Sequence, residues 1–225
     1  MRQETVTHNI YKYDELSEQA KEKAREWYRQ GDLYHWHDFN METLKQFECI
    51  FPIYNSNCSY GGYRPPFIDY SIDIHYNNYY DSEDEILELS GVRLYKYIVN
   101  NYWYDLFKPA TRFLKTIGSN NNRERKSKIN FNNDCVLTGY CIDMSILGPI
   151  YDFLKGPYGK DHEGNLIFDK PRYWYNVTFQ DLMEDCMEEF IQDCNNDWEY
   201  SDSEEYISEN MASNDYEFDE YGNTW

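Results

Sequence analysis

The chain has 225 residues, a net charge of −20, and 24 Tyr, 12 Phe and 6 Trp. This aromatic content excludes a disordered chain, because disordered segments lack the apolar area that offsets the entropy cost of ordering. The sequence has no apolar run of about 18 residues and no secretion-signal pattern. We therefore expect a folded, soluble, cytoplasmic protein that does not enter the membrane.

The negative charge is concentrated at the C-terminal end. Residues 173–225 contain sixteen Asp or Glu and no Lys or Arg, whereas residues 1–172 contain 25 acids and 21 bases. We predict a mixed α+β body of near-balanced charge at 1–172 and an acidic helical segment at 173–225, packed together as one domain. A field of one sign attracts basic protein surfaces and repels nucleic acids, so direct nucleic-acid binding is not expected.

Two helices are predicted near the N-terminus. Ser17 is a suitable N-cap, and Gly31 stands where a helix ends, which predicts a helix between them. A second helix is predicted from Trp36 to Glu48. We expect four of its apolar side chains to face inward, namely Trp36, Phe39, Leu44 and Phe47.

A loop and a strand are predicted next. Residues 55–66 are rich in Gly, Pro, Asn and Ser, which indicates a loop. From Ile68 to Tyr76, apolar and polar residues alternate, which predicts a half-exposed strand.

Two further helices are predicted before a basic loop. Ser82 and Glu85 form a capping-box pattern ahead of a helix that reaches Val99. Another helix is predicted over residues 103–117. Residues 118–133 form a polar loop that holds a concentration of basic side chains, namely Arg123, Arg125, Lys126 and Lys128.

The last third of the chain is predicted to be largely helical. An apolar helix is expected over residues 144–155, followed by a hairpin turn at 162–165. Thr178 and Asp181 cap a long helix that reaches Trp198, and a last helix and a short strand follow Ser201. The long helix has a predicted inner stripe, namely Phe179, Leu182, Met183, Cys186, Phe190, Ile191 and Cys194. The whole pattern predicts an α+β fold, predominantly helical with a small antiparallel sheet.

Three stretches resemble blocks of a protein family of tailed bacteriophages and prophages. They are YKYDELSEQAKEKAREWY at 11–28, DCVLTGYC at 134–141 with ILGPI at 146–150, and DWEY at 197–200 through NDYEF at 214–218. The resemblance implies a phage- or prophage-encoded cytoplasmic protein that is dispensable for virion structure. Some members of that family carry an antitoxin-like label, so a neutraliser of a cognate toxin is an alternative.

Two clusters are candidates for metal binding. His35 and His37 point apart at a helix start but lie on one face of a strand, so they are either ligands or packing residues. Asp69, Asp73 and His75 share the polar side of the predicted strand. They could hold Mg²⁺ or exchange protons in a small metal-dependent enzyme, or they could form a solvated sheet face.

The six cysteines are predicted to be reduced, because the chain is long enough to fold without disulfides and lacks a secretion signal. Cys135 and Cys141 have no His nearby in sequence. A nucleophilic thiol needs such a partner, so we expect both to be buried structural residues.

The acidic C-terminal segment gives the leading functional prediction. Its carboxylates form either a solvated face or a surface that binds a basic protein. In the second case the carboxylates occupy the positions at which that protein would bind the phosphates of a nucleic acid. We predict an acidic accessory protein that inhibits a host nucleic-acid-handling or defence factor, without catalysis, metal or cofactor; whether it self-associates stays open. The predicted acidic face consists of Asp181, Glu184, Asp185, Glu188, Glu204, Glu205 and Glu209.

Overall fold

The computed structural model describes residues 9–31, 36–62, 65–72, 86–107, 114–117, 122–125, 135–157, 159–160, 166–167 and 171–225. Within these ranges the helices are α1 (Glu18–Arg29), α2 (His37–Glu48), α3 (Gly91–Leu106), α4 (Ile142–Leu154), α5 (Pro171–Asn176), α6 (Phe179–Asp202) and α7 (Glu204–Ser213). The strands are β1 (Tyr11–Lys12), β2 (Ile53–Ser59), β3 (Phe67–Ile72), β4 (Leu114–Ile117), β5 (Asn122–Arg125), β6 (Gly159–Lys160), β7 (Leu166–Ile167) and β8 (Glu217–Phe218).

The strands form separate antiparallel pairs, β1 with β8, β2 with β3, β4 with β5, and β6 with β7. The prediction of a predominantly helical α+β fold with small antiparallel sheet structure is therefore confirmed. The β6–β7 pair has the hairpin form expected for this region, although the turn predicted at 162–165 lies outside the described residues.

The chain folds into two compact units. The first unit consists of residues 1–37 together with 195–225, and the second consists of residues 38–194. In the first unit, the core joins α1, α7 and β8, and its buried residues are Tyr13, Leu16, Ala20, Ala24, Ile207, Met211 and Phe218. In the second unit, the core is larger and draws on α2, α3, α4 and α6. The division by charge at residue 173 and the division by packing thus fall at different places in the chain.

The caps predicted for α1 and α6 are present. The Ser17 hydroxyl accepts a hydrogen bond from the backbone N–H of Ala20 at 3.3 Å. Thr178 accepts from the N–H of Asp181 at 3.1 Å, and Asp181 accepts from the N–H of Thr178 at 2.9 Å, which completes a capping box. The helix after that box continues to Asp202, four residues beyond the predicted end at Trp198.

The loop predicted at 55–66 is wrong for its first part, since β2 occupies Ile53–Ser59. Asn55, Ser56 and Asn57 are weak strand formers, so local propensity pointed to a loop. Pairing with β3 overrides that preference, at the cost of a register shift between Tyr54 and Asn57 and a left-handed backbone at Asn55, φ 57°. The alternation predicted along β3 is confirmed over Phe67–Ile72.

The helices predicted to end at Val99 and to begin at residue 103 are one helix, α3. Its buried residues recur every four positions at Leu94, Ile98, Tyr102 and Leu106, so one continuous stripe faces the core. The capping box at residues 82–85 lies outside the described residues, and Ser90 holds the N-cap position of α3.

The end of the predicted helix 103–117 and part of the predicted basic loop are also wrong. Leu114–Ile117 and Asn122–Arg125 are paired strands, so Arg123 and Arg125 belong to β5. Lys126 and Lys128 lie outside the described residues.

The inward orientation predicted for α2 holds for Leu44 and Phe47 but is wrong for Trp36 and Phe39, which are exposed. The buried stripe of this helix starts at Asn40, and Phe39 is rotated about 100° away from it by helical geometry.

Among the described residues, none of the helices has the length and apolar character that a bilayer crossing requires.

Candidate binding site

A groove of about 660 Å³ lies between α4 and α6 in the second unit. Its volume falls in the range of ~300–1,000 Å³ that is typical of ligand sites. The lining residues are Met144, Ser145, Gly148, Pro149 and Asp152 of α4, Tyr173 of α5, and Asp185, Glu188, Glu189 and Asp193 of α6. Five of these described lining residues carry carboxylates, and none is basic.

The buried face of α6 determines which carboxylates face the groove. All seven residues of the predicted inner stripe are buried, which confirms that stripe. Within it, Cys186 is fully buried and its thiol contacts the backbone of Ile150 in α4. With this face fixed, Asp185, Glu189 and Asp193 follow one another at four-residue intervals on the groove side.

Helix α4 forms one wall of the groove, and Gly148 near the middle of this wall has no side chain to fill the space. A Cβ built at Gly148 would meet no atom within 4 Å, so the packing of the fold does not require glycine there. The next residue, Pro149, has no N–H and cannot donate the helical hydrogen bond to the Ser145 carbonyl four residues earlier. This wall therefore offers apolar contact and acceptors.

Tyr173 lies at the groove because its neighbour is anchored in the core. The buried Trp174 donates from its indole Nε1 to the Phe153 carbonyl at 2.8 Å, which ties α5 to the end of α4. The Tyr173 hydroxyl donates a hydrogen bond to the Asp185 carboxylate. Burial raises the pKa of Tyr173, and the hydrogen bond to Asp185 adds to the rise, so the phenol keeps its proton at neutral pH.

A second tyrosine lies near the acidic face of α6. Burial raises the pKa of Tyr70 in β3 to about 12, and the negative charges of Glu184 and Glu188 contribute to that rise. Loss of its proton would place a further negative charge beside these carboxylates. Tyr70 therefore remains a neutral phenol at neutral pH.

The groove can attract cations and hydrogen-bond donors. Asp152 pairs with Lys155 at 2.6 Å, but both side chains are more than 60% exposed, so this pair neutralises Asp152 weakly. The other lining carboxylates concentrate negative potential in a concave surface, where low-dielectric walls strengthen the field.

No family model, curated protein or solved structure matches the chain. The likeness to a phage family therefore stays a prediction.

The groove gathers part of the predicted acidic face. Asp185 and Glu188 line it, whereas Asp181 is engaged in the capping box and Glu184 accepts from the Gln180 amide at 2.8 Å. The other predicted members are exposed on α7 in the first unit and are not among the lining residues, namely Glu204, Glu205 and Glu209.

Three groove carboxylates were missed by sequence reasoning, namely Asp152, Glu189 and Asp193. The four-residue repeat of acids from Asp185 to Asp193 was a usable signal for the α6 row. Asp152 had none, because its position depends on how α4 packs beside α6.

The predicted metal clusters are only partly covered. His37 and Asp69 are exposed, whereas His35, Asp73 and His75 lie outside the described residues. Within the described ranges, no group of three or more His, Cys, Asp or Glu is arranged to hold a metal ion.

The six cysteines all lie in described residues and carry reduced thiols, as predicted. The prediction that Cys135 and Cys141 are buried is wrong for Cys141, which is exposed; Cys135 is half-buried. Cys141 immediately precedes α4 and does not belong to the apolar face of that helix.

Proposed function

We propose that this protein is an acidic binding protein that captures a basic segment of a partner protein in the groove between α4 and α6. The observation that carries the proposal is the groove lining, which combines five carboxylates with an apolar wall and has no basic residue among its described members. A lysine or arginine side chain matches both properties, because its stem is apolar and its head is cationic.

The shape of the groove favours a protruding partner. A concave acidic surface receives an arm or a helix, whereas a convex acidic surface is needed to enter a basic groove. An exposed ion pair contributes ~0.2–1 kcal/mol, so several pairs formed together are needed for stable capture. Charge of one sign also accelerates encounter and makes it sensitive to salt.

The proposed setting is a phage or prophage protein acting in the cytoplasm of a host cell. The resemblance of residues 11–28, 134–150 and 197–218 to phage sequences supports this setting. The proposed target is a nucleic-acid-handling or defence protein, since such proteins carry basic segments that contact phosphates. Carboxylates bound to those segments would block nucleic acid. The antitoxin-like and metal-dependent alternatives stay predictions.

Affinity purification from host lysate tests the proposal with three baits. They are the wild type, a groove variant (Glu188→Gln, Glu189→Gln, Asp193→Asn), and an α7 variant of equal charge (Glu204→Gln, Glu205→Gln, Glu209→Gln). We expect the wild type and the α7 variant to retain the same basic protein, and added salt to elute it. The groove variant should not retain this protein. Recovery of the same partners by all three baits would contradict the proposal.

A further inference from the structure

We propose that the segment bound in the groove is an amphipathic α-helix of the partner, with lysine or arginine at four-residue intervals on one face. This inference rests on the proposed function and specifies the form of the ligand. The occupant of the groove is a helix, and not an extended peptide or a folded basic surface.

The spacing of the α6 carboxylates supports a helical occupant. Asp185, Glu189 and Asp193 are successive at four-residue intervals. A helix rises 1.5 Å per residue, so their Cα atoms are about 6 Å apart and the row spans about 12 Å. Basic residues four apart on a second helix repeat at the same distance, so the two rows can stay in register over successive turns.

The backbone requirements of the ligand also favour a helix. Extended peptides obtain much of their affinity by adding a strand to a sheet edge, where backbone groups exchange hydrogen bonds. The described residues that line this groove all belong to helices α4, α5 and α6, whose backbone groups are largely engaged within each helix. A helical ligand satisfies its own backbone and needs only side-chain contacts from such walls.

The α4 wall provides room for close approach. Ser145 and Gly148 are small, and Met144 and Pro149 provide apolar contact beside them. Space around the missing Cβ of Gly148 is open, so a side chain of the incoming helix can occupy it. The ligand helix should therefore carry small or apolar residues on the side that faces α4, next to its basic row.

Three synthetic peptides of about 18 residues, a length that can form a helix on binding, distinguish the possible ligands. The first places its lysines at four-residue intervals on one helical face, with small apolar residues beside them. The second has the same composition with the lysines distributed around the helix. The third is the first with a central proline, which prevents a continuous helix.

Binding is measured by fluorescence anisotropy to the wild type, to Gly148→Ala and to Gly148→Leu. We expect the first peptide to bind the wild type at least tenfold more tightly than the other two. Gly148→Ala should preserve that preference, because the added methyl group meets open space. Gly148→Leu should reduce binding of the first peptide at least fivefold, because its side chain fills the groove.

Equal, salt-sensitive binding of all three peptides would overturn the helical inference and leave the proposed function standing. If Gly148→Leu binds the first peptide as tightly as Gly148→Ala does, both the inference and the proposed function fail, because the groove would then not hold the peptide. If none of the peptides binds, both the inference and the proposed function fail.

Discussion

The hydroxyl of Thr43 in α2 donates a hydrogen bond at 3.0 Å to the carboxylate of Asp143 in α4, 100 positions later in the chain. Asp143 is fully buried. It also accepts from the Thr138 hydroxyl at 2.6 Å, and from the backbone N–H groups of Leu137 at 3.0 Å, Thr138 at 2.8 Å and Gly139 at 2.9 Å. This carboxylate fixes the start of α4, and with it one wall of the groove.

Replacing Asp143 should destabilise the protein strongly. Asp143→Ala removes the acceptor of five donors, and a buried polar group left unsatisfied costs ~1–3 kcal/mol. We expect urea denaturation to show a loss of more than about 3 kcal/mol in the free energy of unfolding. Thr43→Val is the control, because valine is similar in size to threonine and the change removes only one of the five donors. This change should cost about 1–2 kcal/mol in the free energy of unfolding. A smaller loss for Asp143→Ala than for Thr43→Val would contradict the assigned network.

Gly222 should be far less replaceable than Gly62. Both have left-handed backbones, with φ +80° and +84°, so alanine is strained at either position by about 1–2 kcal/mol. A Cβ at Gly222 would lie 2.1 Å from the carbonyl oxygen of Ala20, whereas a Cβ at Gly62 meets nothing within 4 Å. Thermal denaturation should therefore show a much larger loss for Gly222→Ala. Equal losses of thermal stability for the two variants would mean that the turn at Gly222 is not in close contact with Ala20 of α1.

The cysteines should separate into two reactivity classes. Cys49 and Cys141 are exposed, whereas Cys58, Cys186 and Cys194 are buried. Burial raises the pKa of Cys58 to about 11 and that of Cys186 well above its usual range, so few thiolates form there at mildly alkaline pH. Alkylation followed by mass spectrometry should modify Cys49 and Cys141 first. The buried three should react only after denaturant is added, and early labelling of Cys186 would contradict its contact with α4.

Stability should fall at alkaline pH through three tyrosines whose pKa values are raised in the folded state. Burial raises the pKa of Tyr70 to about 12, and burial also raises those of Tyr102 and Tyr173. A raised pKa in the folded state gives stability that is complete below the unfolded value of about 10. That stability is lost as the pH rises toward the folded value, because the unfolded chain releases its protons first.

Urea denaturation at several pH values from about 9 to 12 measures this loss. Tyr70→Phe removes one of the titrating groups, so its free energy of unfolding should depend less steeply on pH than that of the wild type. Identical pH dependence in the two proteins would show that Tyr70 titrates normally.

Local signals were enough to predict the starts of α1 and α6 but not the pairing of strands. Ser17, Thr178 and Asp181 act within three residues of their partners, so their capping roles follow from sequence alone. The strand at residues 53–59 depends on a partner strand, and its Asn and Ser residues gave a loop signal that pairing overrides.

The groove was only half predictable for the same reason. The acidic repeat on α6 is visible in sequence, because its inner stripe and the helical period fix its direction. The opposite wall forms only because Gly148 and Asp152 of α4 lie beside α6. The spacing of residues in the sequence does not predict that packing of one helix against the other. Asp152 was also missed because it precedes residue 173, and the predicted acidic face was drawn only from the acidic segment that follows this residue.

The measurement that tests the central claim most directly is the affinity of one lysine-bearing helical peptide for three proteins at a single ionic strength. They are the wild type, the groove variant Glu188→Gln, Glu189→Gln, Asp193→Asn, and the α7 variant Glu204→Gln, Glu205→Gln, Glu209→Gln. Near physiological salt the Debye length is about 8 Å, so charges farther than that from the peptide are largely screened. We predict about tenfold weaker binding for the groove variant, equivalent to ~1.4 kcal/mol, and less than about twofold for the α7 variant. Equal weakening in both would show that total charge, and not the groove, attracts the peptide.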